Sequence, residues 1–352
     1  MNSYDITLLP GDGIGPEVTQ SVHAVMEVLQ QRFPVRFNID IKAVGGEAID
    51  KFGEPLPQET IDSCLNSDAV FLGAVGGPKW ENKGVYESPE WGLLKLRETL
   101  KVFSNIRPLS IYEDLNQFSP LKNDLIQGVE MVIVRELTGG IYFGNKHRSD
   151  LYAVDQCTYT ENEIIRVTKV ACELAMKRKR RLVSVDKANV LETSKLWREV
   201  VTRYVTEAFP QIHLEHQLID SCAMHLVSNP RQFDVILTEN MFGDILSDIS
   251  GALSGSLGML PSSSIGHKYA LFEPVHGSAP NIKGKGIANP YASLLSLEMM
   301  LRWLGESKIA DHLARAIKQA IQDKCFSKDL DKNSHFSTTD ITLSVTSNIL
   351  SI

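Results

Sequence analysis

Tyr4–Gln31 reads YDITLLPGDGIGPEVTQSVHAVMEVLQQ. An apolar run, ITLLP, meets a glycine turn, GDGIG, and a run with helical spacing follows at once. Pro16 suits the first helical position, where its missing N–H is not needed. The stretch is strand, tight turn, helix, the repeating unit of α/β proteins with a largely parallel sheet. It also invites a dinucleotide-fold reading. The Rossmann fingerprint needs glycine at its sixth position, and Pro16 stands there. As a nucleotide motif the stretch is weak, and as a structural turn it is sufficient.

The same alternation extends outward. A strand at FNIDIKAVG, a helical piece around PQETIDSCLNS and a strand at AVFLGAVG come next. The middle of the chain repeats it with strands GVEMVIVREL, RLVSVDKAN and FDVILTEN. Between and after them lie helices ENEIIRVTKVACELAMKRK, TSKLWREVVTRYVTEAFP and FGDILSDISGALSG. A glycine- and proline-rich loop, EPVHGSAPNIKGKGIANP, precedes helices YASLLSLEMMLRWLG and KIADHLARAIKQAIQDK. No solenoid period and no low-complexity tract interrupts this order.

A chain of 352 residues is long for one simple core and implies two domains. Its 43% hydrophobic and 22% charged residues are those of an ordinary soluble protein. A net charge of −7 argues against a nucleic-acid binder, which shows a strong basic face. The basic run Lys177–Arg181 ends a helix, where cations suit the macrodipole, and reads as a solvated end. Five cysteines without C-x-x-C spacing read as reduced thiols, not a disulfide frame or zinc site. No apolar run reaches membrane-span length, and the chain enters a strand without a leader pattern. The expectation is a cytoplasmic protein.

Four sets of residues carry possible chemistry. Asp244 and Asp248, in ENMFGDILSD, share one helix face and repel each other. Taken alone, such a pair is commonly a solvated face. With the distant Asp220 it would supply oxygen ligands for a hard divalent cation. Arg97, Arg107 and Arg135 form the second set. Arginine is suited to bidentate carboxylate recognition, although three surface salt bridges would use the same residues. Arg135 ends an apolar strand, where open α/β sheets bind ligands. Arg107 precedes Pro108 and so lies in extended chain or a turn. Lys187 follows the apolar strand LVSV, and a desolvated lysine acts as a base. Tyr142 follows Gly139 and Gly140, a turn that would aim its phenol, although a half-buried core tyrosine is the commoner fate.

These blocks occur together with GAVGGPKW, PEWGLLKLRETLKVFSNIRP, SVDKANVLETSKLWREVV and HGSAPNIKGKGIANP. In that order, over essentially the whole chain, they resemble the β-decarboxylating dehydrogenases of the isocitrate/isopropylmalate type, and among them the isopropylmalate branch. The resemblance implies two α/β domains sharing a large mixed, mostly parallel sheet, and not a Rossmann fold. Residues 1–102 and 254–352 would form the first domain and 103–253 the second, which would make a homodimer interface. The stretch NKHRSDLYAVDQCTY would be a dimer arm.

The resemblance also assigns roles. Asp244 and Asp248 would bind Mg²⁺ or Mn²⁺, with Asp220 contributed across the dimer. Tyr142 and Lys187 would be catalytic. Arg97, Arg107, Arg135, Asn189, Val190 and Asp220 would meet the substrate, and Glu90, Leu93 and Leu94, at helical spacing, would present an apolar wall to an isopropyl group. NAD would sit on two loops. One carries Gly77, Pro78, Lys79 and Trp80, near Glu90. The other carries His276, Gly277, Ser278, Ala279, Pro280, Asn281, Ile282 and Asn289, near Ile14. The implied reaction is NAD-dependent oxidative decarboxylation of (2R,3S)-3-isopropylmalate to 4-methyl-2-oxopentanoate, in leucine biosynthesis. Tartrate or D-malate is the alternative substrate. A non-catalytic binding protein, the alternative from another class, would be expected to lack one of these groups. No membrane or nucleic-acid partner is implied.

Overall fold

The computed structural model describes residues 1–82 and 84–352. Lys83 and the side chain of Val85, both in the expected nucleotide loop, lie outside it. The strands are β1 (Asn2–Gly11), β2 (Val35–Ile41), β3 (Ala69–Ala74), β4 (Ser104–Ser110), β5 (Glu130–Glu136) and β6 (Lys146–Arg148). They continue with β7 (Ala153–Asp155), β8 (Arg181–Asp186), β9 (His213–Leu218), β10 (Val235–Thr238), β11 (Pro261–Ile265) and β12 (Ala270–Pro274).

The chain divides into two compact units, Met1–Lys101 with Gly255–Ile352, and Val102–Ser254. In the first, the strand order is β2-β1-β3-β12-β11. β1 runs parallel to β2 and β3, and β12 runs parallel to β3, while β11 and β12 form an antiparallel pair. The opening stretch folds as read: β1 enters the turn at Gly11 and helix Gly15–Arg32 leaves it, with Pro16 in the first turn. Gly13 is required by close approach, since a Cβ there would lie 1.9 Å from the Ser278 carbonyl oxygen. That contact seats the turn on the glycine-rich loop of the last quarter.

In the second unit the order is β4-β5-β10-β8-β9. β4 is antiparallel to β5, and the rest are parallel. Helices Glu161–Met176 and Glu192–Ala208 bury Val167, Ala171, Trp197 and Val201 against Val132, Val134, Leu182 and Leu237 of the sheet. A capping box between Thr160 and Glu163 starts the first of these helices, which satisfies donors that would otherwise be orphaned. β6 and β7 form a separate antiparallel hairpin with Leu151, Tyr152 and Val154 exposed.

Of the two conformations open to Arg107 the structure takes the extended one, inside a strand, with Pro108 opposite Val132 in the antiparallel pair. Several elements depart from the sequence reading. The basic run is only partly solvated. Helix Glu161–Met176 ends before it, and Arg178 binds both Glu130 and Asp234. Helices Ile219–Ser228 and Thr338–Ser351 and the hairpin of β11 and β12 were not legible. Among the described residues no helix is long and apolar enough to cross a membrane, and all five cysteines are free.

Candidate active site

The side-chain alternation of strands places one set of groups in the second unit. Asn105 and Arg135 are direct partners across β4 and β5, and Arg107 lies two residues on from Asn105. Partners and i, i+2 residues share a sheet face, so both arginines present to the same side. Helix Asn240–Leu253 packs on that side, and Gly243 lets it come close. A Cβ at Gly243 would lie 2.7 Å from Arg135 Cγ and 2.3 Å from Thr238 Oγ1. Asp244, next along the helix, therefore reaches the guanidinium head.

The resulting constellation is tight. Arg135 Nη1 donates to Asp244 Oδ1 at 2.5 Å, and Arg107 Nη1 stands 3.6 Å from the same oxygen. Arg107 also donates to Asn105 Oδ1 at 2.7 Å and to Ser247. Both arginines are buried, at 8% and 2% exposure, yet charge-paired, as a buried cation must be. Tyr142 is half-buried and donates its Oη to Asp244 Oδ2 at 3.1 Å. Burial, then the Asp244 charge, push the phenol pKa up, with Arg135 opposing. It therefore holds its proton at neutral pH. Asp248 lies one turn beyond Asp244, and partial desolvation together with the Asp244 charge push its carboxyl up.

Lys187 and Asp220 form a separate pair in this unit, Nζ to Oδ1 at 2.6 Å. The expectation of a desolvated lysine is not met within one chain, because its ammonium is held by a carboxylate. That ammonium in turn holds the exposed Asp220 carboxyl below its ordinary range. Asn189 and Val190, just beyond, are exposed. Among the described residues no three His, Cys, Asp or Glu side chains gather as metal ligands. The chain brings Asp244 and Asp248 together and leaves Asp220 with Lys187. Two carboxylates whose mutual repulsion is already felt suit a divalent cation, which takes a few carboxylates and completes its shell with substrate and water.

The first unit holds the other residues. Arg97, 8% exposed, donates Nη2 to Glu273 Oε1 at 2.8 Å, and its Nε is buried without a partner. Leu93 and Leu94 are half-buried on helix Pro89–Thr99, and Glu90, exposed, lies against Gly76. The loop Gly77–Trp80 is fastened to helix Gly46–Phe52. The Trp80 ring lies over Gly46, and Lys79 and Trp80 Nε1 both donate to Asp50. Asp12 completes that fastening. Its carboxylate accepts from the backbone N–H groups of Gly46, Glu47 and Gly76, each at 2.8 Å. Asp12 and Glu273 were missed because their partners lie far away in sequence.

The glycine-rich loop of the last quarter lines a cleft of about 520 Å³, in the usual range for small-molecule sites. Ile14, His276, Gly277, Ala279, Ile282 and Asn289 line it. Leu257, Gly258, Ile287, Lys328 and Asp329 also line it, although the sequence reading gave none of them a role. Ser278 is buried beneath the loop, while Pro280 and the exposed Asn281 lie outside the lining. Ala279 holds φ +40°, in the left-handed region. His276 Nδ1 donates to the Gly277 carbonyl at 3.0 Å, which leaves Nε2 an acceptor, buried and unpaired. Burial also pushes the imidazole pKa down. An apolar cleft with one orphaned acceptor fits the adenine end of a dinucleotide.

The isocitrate/isopropylmalate dehydrogenase family model matches residues 5–345, and the chain belongs to that family. It is 50% identical over 337 residues to the 3-isopropylmalate dehydrogenase of Geobacillus kaustophilus, covering 94% of this chain and 91% of that one. It is 49% identical over 327 residues to the enzyme of that name from Aquifex aeolicus, covering 91% and 90%. Among solved structures, isocitrate dehydrogenase from Methylococcus capsulatus superposes with a TM-score of 0.89 at 34% identity, covering 99% of each chain. The apo β-decarboxylating dehydrogenase of Thermococcus kodakarensis gives 0.80 at 33% identity, covering 99% and 96%.

Proposed function

We propose that this chain is a dehydrogenase that oxidatively decarboxylates (2R,3S)-3-isopropylmalate to 4-methyl-2-oxopentanoate with NAD⁺, in leucine biosynthesis. One observation carries the reading. Two buried arginines, a tyrosine hydroxyl and an aspartate pair converge on one face of the second unit. The relatives at about half identity, all named 3-isopropylmalate dehydrogenase, give the same answer for the substrate.

When bound, NAD⁺ accepts the hydride, and Mg²⁺ or Mn²⁺ at Asp244 and Asp248 supplies Lewis acidity to the reacting hydroxyl. Arg97, Arg107 and Arg135 fix the two carboxylates, which orients the C2 hydrogen. Lys187, once its ammonium has released a proton to solvent, takes the C2 hydroxyl proton as the base, directly or through a water. Tyr142, whose hydroxyl is aimed by its bond to Asp244, delivers a proton to C3 after CO₂ leaves. Asn189 and Val190 flank the base at the substrate.

Asp220 and Lys187 would serve a partner copy in a homodimer. Two features support this. Asp220 does not join Asp244 and Asp248 within one chain. Val190, Met224, Val227 and Ile245 also expose apolar surface on elements of the second unit. The free thiols suit a reducing cytoplasm.

The test is NADH formation with isopropylmalate, D-malate and tartrate at one metal concentration. The highest kcat/KM for D-malate or tartrate would refute the leucine-pathway reading. Leu93 and Leu94 sharpen the test. Changing either to Ala should lower kcat/KM for isopropylmalate more than for D-malate, since only the former buries branched carbon. One methylene in a pocket is worth about 1–3 kcal/mol. Equal losses with both substrates would make these leucines packing residues.

Asn281 bears on cofactor choice. It keeps an acceptor for the adenosine ribose but lacks the charge that repels a 2′-phosphate. Lys283 stands close enough for its charge to act on Asp50, which already binds Lys79 and Trp80. NAD is expected to be preferred, by a margin that Asn281→Asp widens. The measurement is kcat/KM for NAD and NADP in both forms. A parent preference for NADP, or an unchanged ratio in the variant, would defeat this.

A further inference from the structure

We infer that Asn240 is a positioning residue that fixes Arg135 and the turn carrying Tyr142 in one geometry. Asn240 is the first residue of helix Asn240–Leu253 and is 1% exposed. Its Oδ1 accepts from Arg135 Nε at 3.0 Å and Nη2 at 2.8 Å. Its Nδ2 donates to the carbonyls of Leu137 at 3.2 Å and Gly139 at 3.1 Å. An asparagine amide offers two acceptor sites and two N–H donors, and all four are used here. The reverse orientation would set amide hydrogens against guanidinium hydrogens and an oxygen against two carbonyls, so the amide's sense is unambiguous.

The Leu137–Gly139 stretch leads directly into Tyr142. Gly140 holds φ +75°, and a Cβ there would lie 2.3 Å from Tyr159 Oη. That same Oη accepts from the Asn240 backbone N–H at 2.9 Å. Glu136 grips the turn from its other side, accepting from Gly139 N at 2.7 Å. Asn240 is thus bonded both to a carboxylate-binding arginine and to the backbone that aims the acid. Arg135 carries the tie onward to Asp244. A carboxylate at position 240 would keep the arginine and lose the turn. A methyl group would lose both.

This rests on reading Tyr142 as the proton donor, and the experiment separates the two. Asn240→Asp, Asn240→Ala, Tyr142→Phe and the double variant Asn240→Asp/Tyr142→Phe are compared with the parent. The substrate is whichever 2-hydroxy dicarboxylate the parent oxidises fastest. Asn240→Asp is expected to lower kcat by about 10²-fold, the cost of a misplacement near 1 Å, with KM within a few-fold of the parent. Asn240→Ala is expected to raise KM as well. In the Tyr142→Phe background the Asp substitution is expected to cost little further kcat, because groups acting as a unit are not additive.

Equal kcat losses in both backgrounds, an unchanged kcat in Asn240→Asp, or a shift in thermal unfolding alone would overturn the proposal. If Asn240→Asp fails to fold, Asn240→Ser enters the same cycle with kcat and KM losses like those of Asn240→Ala. The same criteria apply to its kcat. A Tyr142→Phe enzyme with parental kcat would remove the proton-donor reading and this proposal with it. A parent idle on isopropylmalate but active on D-malate would remove only the choice of substrate.

Discussion

Lys187→Met should lower kcat by about 10²–10⁴-fold, the usual cost of losing a general base, with a smaller effect on KM. Methionine keeps an unbranched apolar stem of similar length, with sulfur in place of one methylene, and removes the ammonium. The remaining structure has little reason to change. Asp220, its partner at 2.6 Å, is exposed, so the unpaired carboxylate is solvated and not stranded in the core. Pairs of that kind contribute little to folding. Arg107→Ala should behave differently, because its guanidinium is buried and holds Asn105 and Ser247. Loss of substrate binding and loss of turnover should appear together there. Steady-state kinetics on the two variants, with circular dichroism as the control, make the comparison. A Lys187→Met enzyme with near-parental kcat would take Lys187 out of the chemistry.

The second large effect concerns the metal. Asp244→Asn and Asp248→Asn should each weaken divalent-cation binding by at least about 10–100-fold, the range seen even for residues that only support ligands. The fold should survive in both. Asp248 gives the cleaner experiment. It is exposed, whereas Asp244 is also the partner of Arg135, Arg107 and Tyr142. Asp244→Asn should therefore disturb the arginines as well, and raise KM for substrate at saturating metal. Asp248→Asn should leave KM near the parent value once metal is saturating. Titration of Mg²⁺ and Mn²⁺ by calorimetry separates the two. Unchanged metal affinity in both variants would return the pair to a solvated helix face.

Much of this site was legible because its residues lie beside strong local signals. Asp244 and Asp248 declare a shared face through helical spacing alone. Arg135 stands at the end of an apolar strand, and Tyr142 follows a double glycine. What stayed hidden depends on contacts between remote segments. Glu273, the partner of Arg97, sits in the hairpin of β11 and β12. The serines of β11 are buried there although serine is a weak strand signal. Asp12 reads as part of a turn, yet its carboxylate collects three backbone donors, two from the start of helix Gly46–Phe52 and one from Gly76. Pro108 left Arg107 open between extended chain and a turn, and the pairing with β5 that decides it comes from a later segment. The apolar strand before Lys187 suggests a desolvated amine, while its partner Asp220 lies on a later helix.

The division of the chain into an interrupted first unit and a continuous second one has a consequence for biogenesis. During synthesis, β1, β2 and β3 emerge early, yet β3 meets its neighbour β12 only through Val70 with Leu271 and Phe71 with Phe272. Residues 102–254 are made in between, and they form the whole of the second unit. That unit can close on itself while the first still carries an open edge at β3, all of whose residues are buried in the finished molecule. Late closure through distant pairings is slow, and it leaves such an edge open to other chains. The nascent protein is therefore most prone to aggregate between the emergence of Ala74 and that of Pro274. Truncations ending inside that window should be held by chaperones or lost to insoluble material, while chains extended past β12 and its covering helices should be soluble.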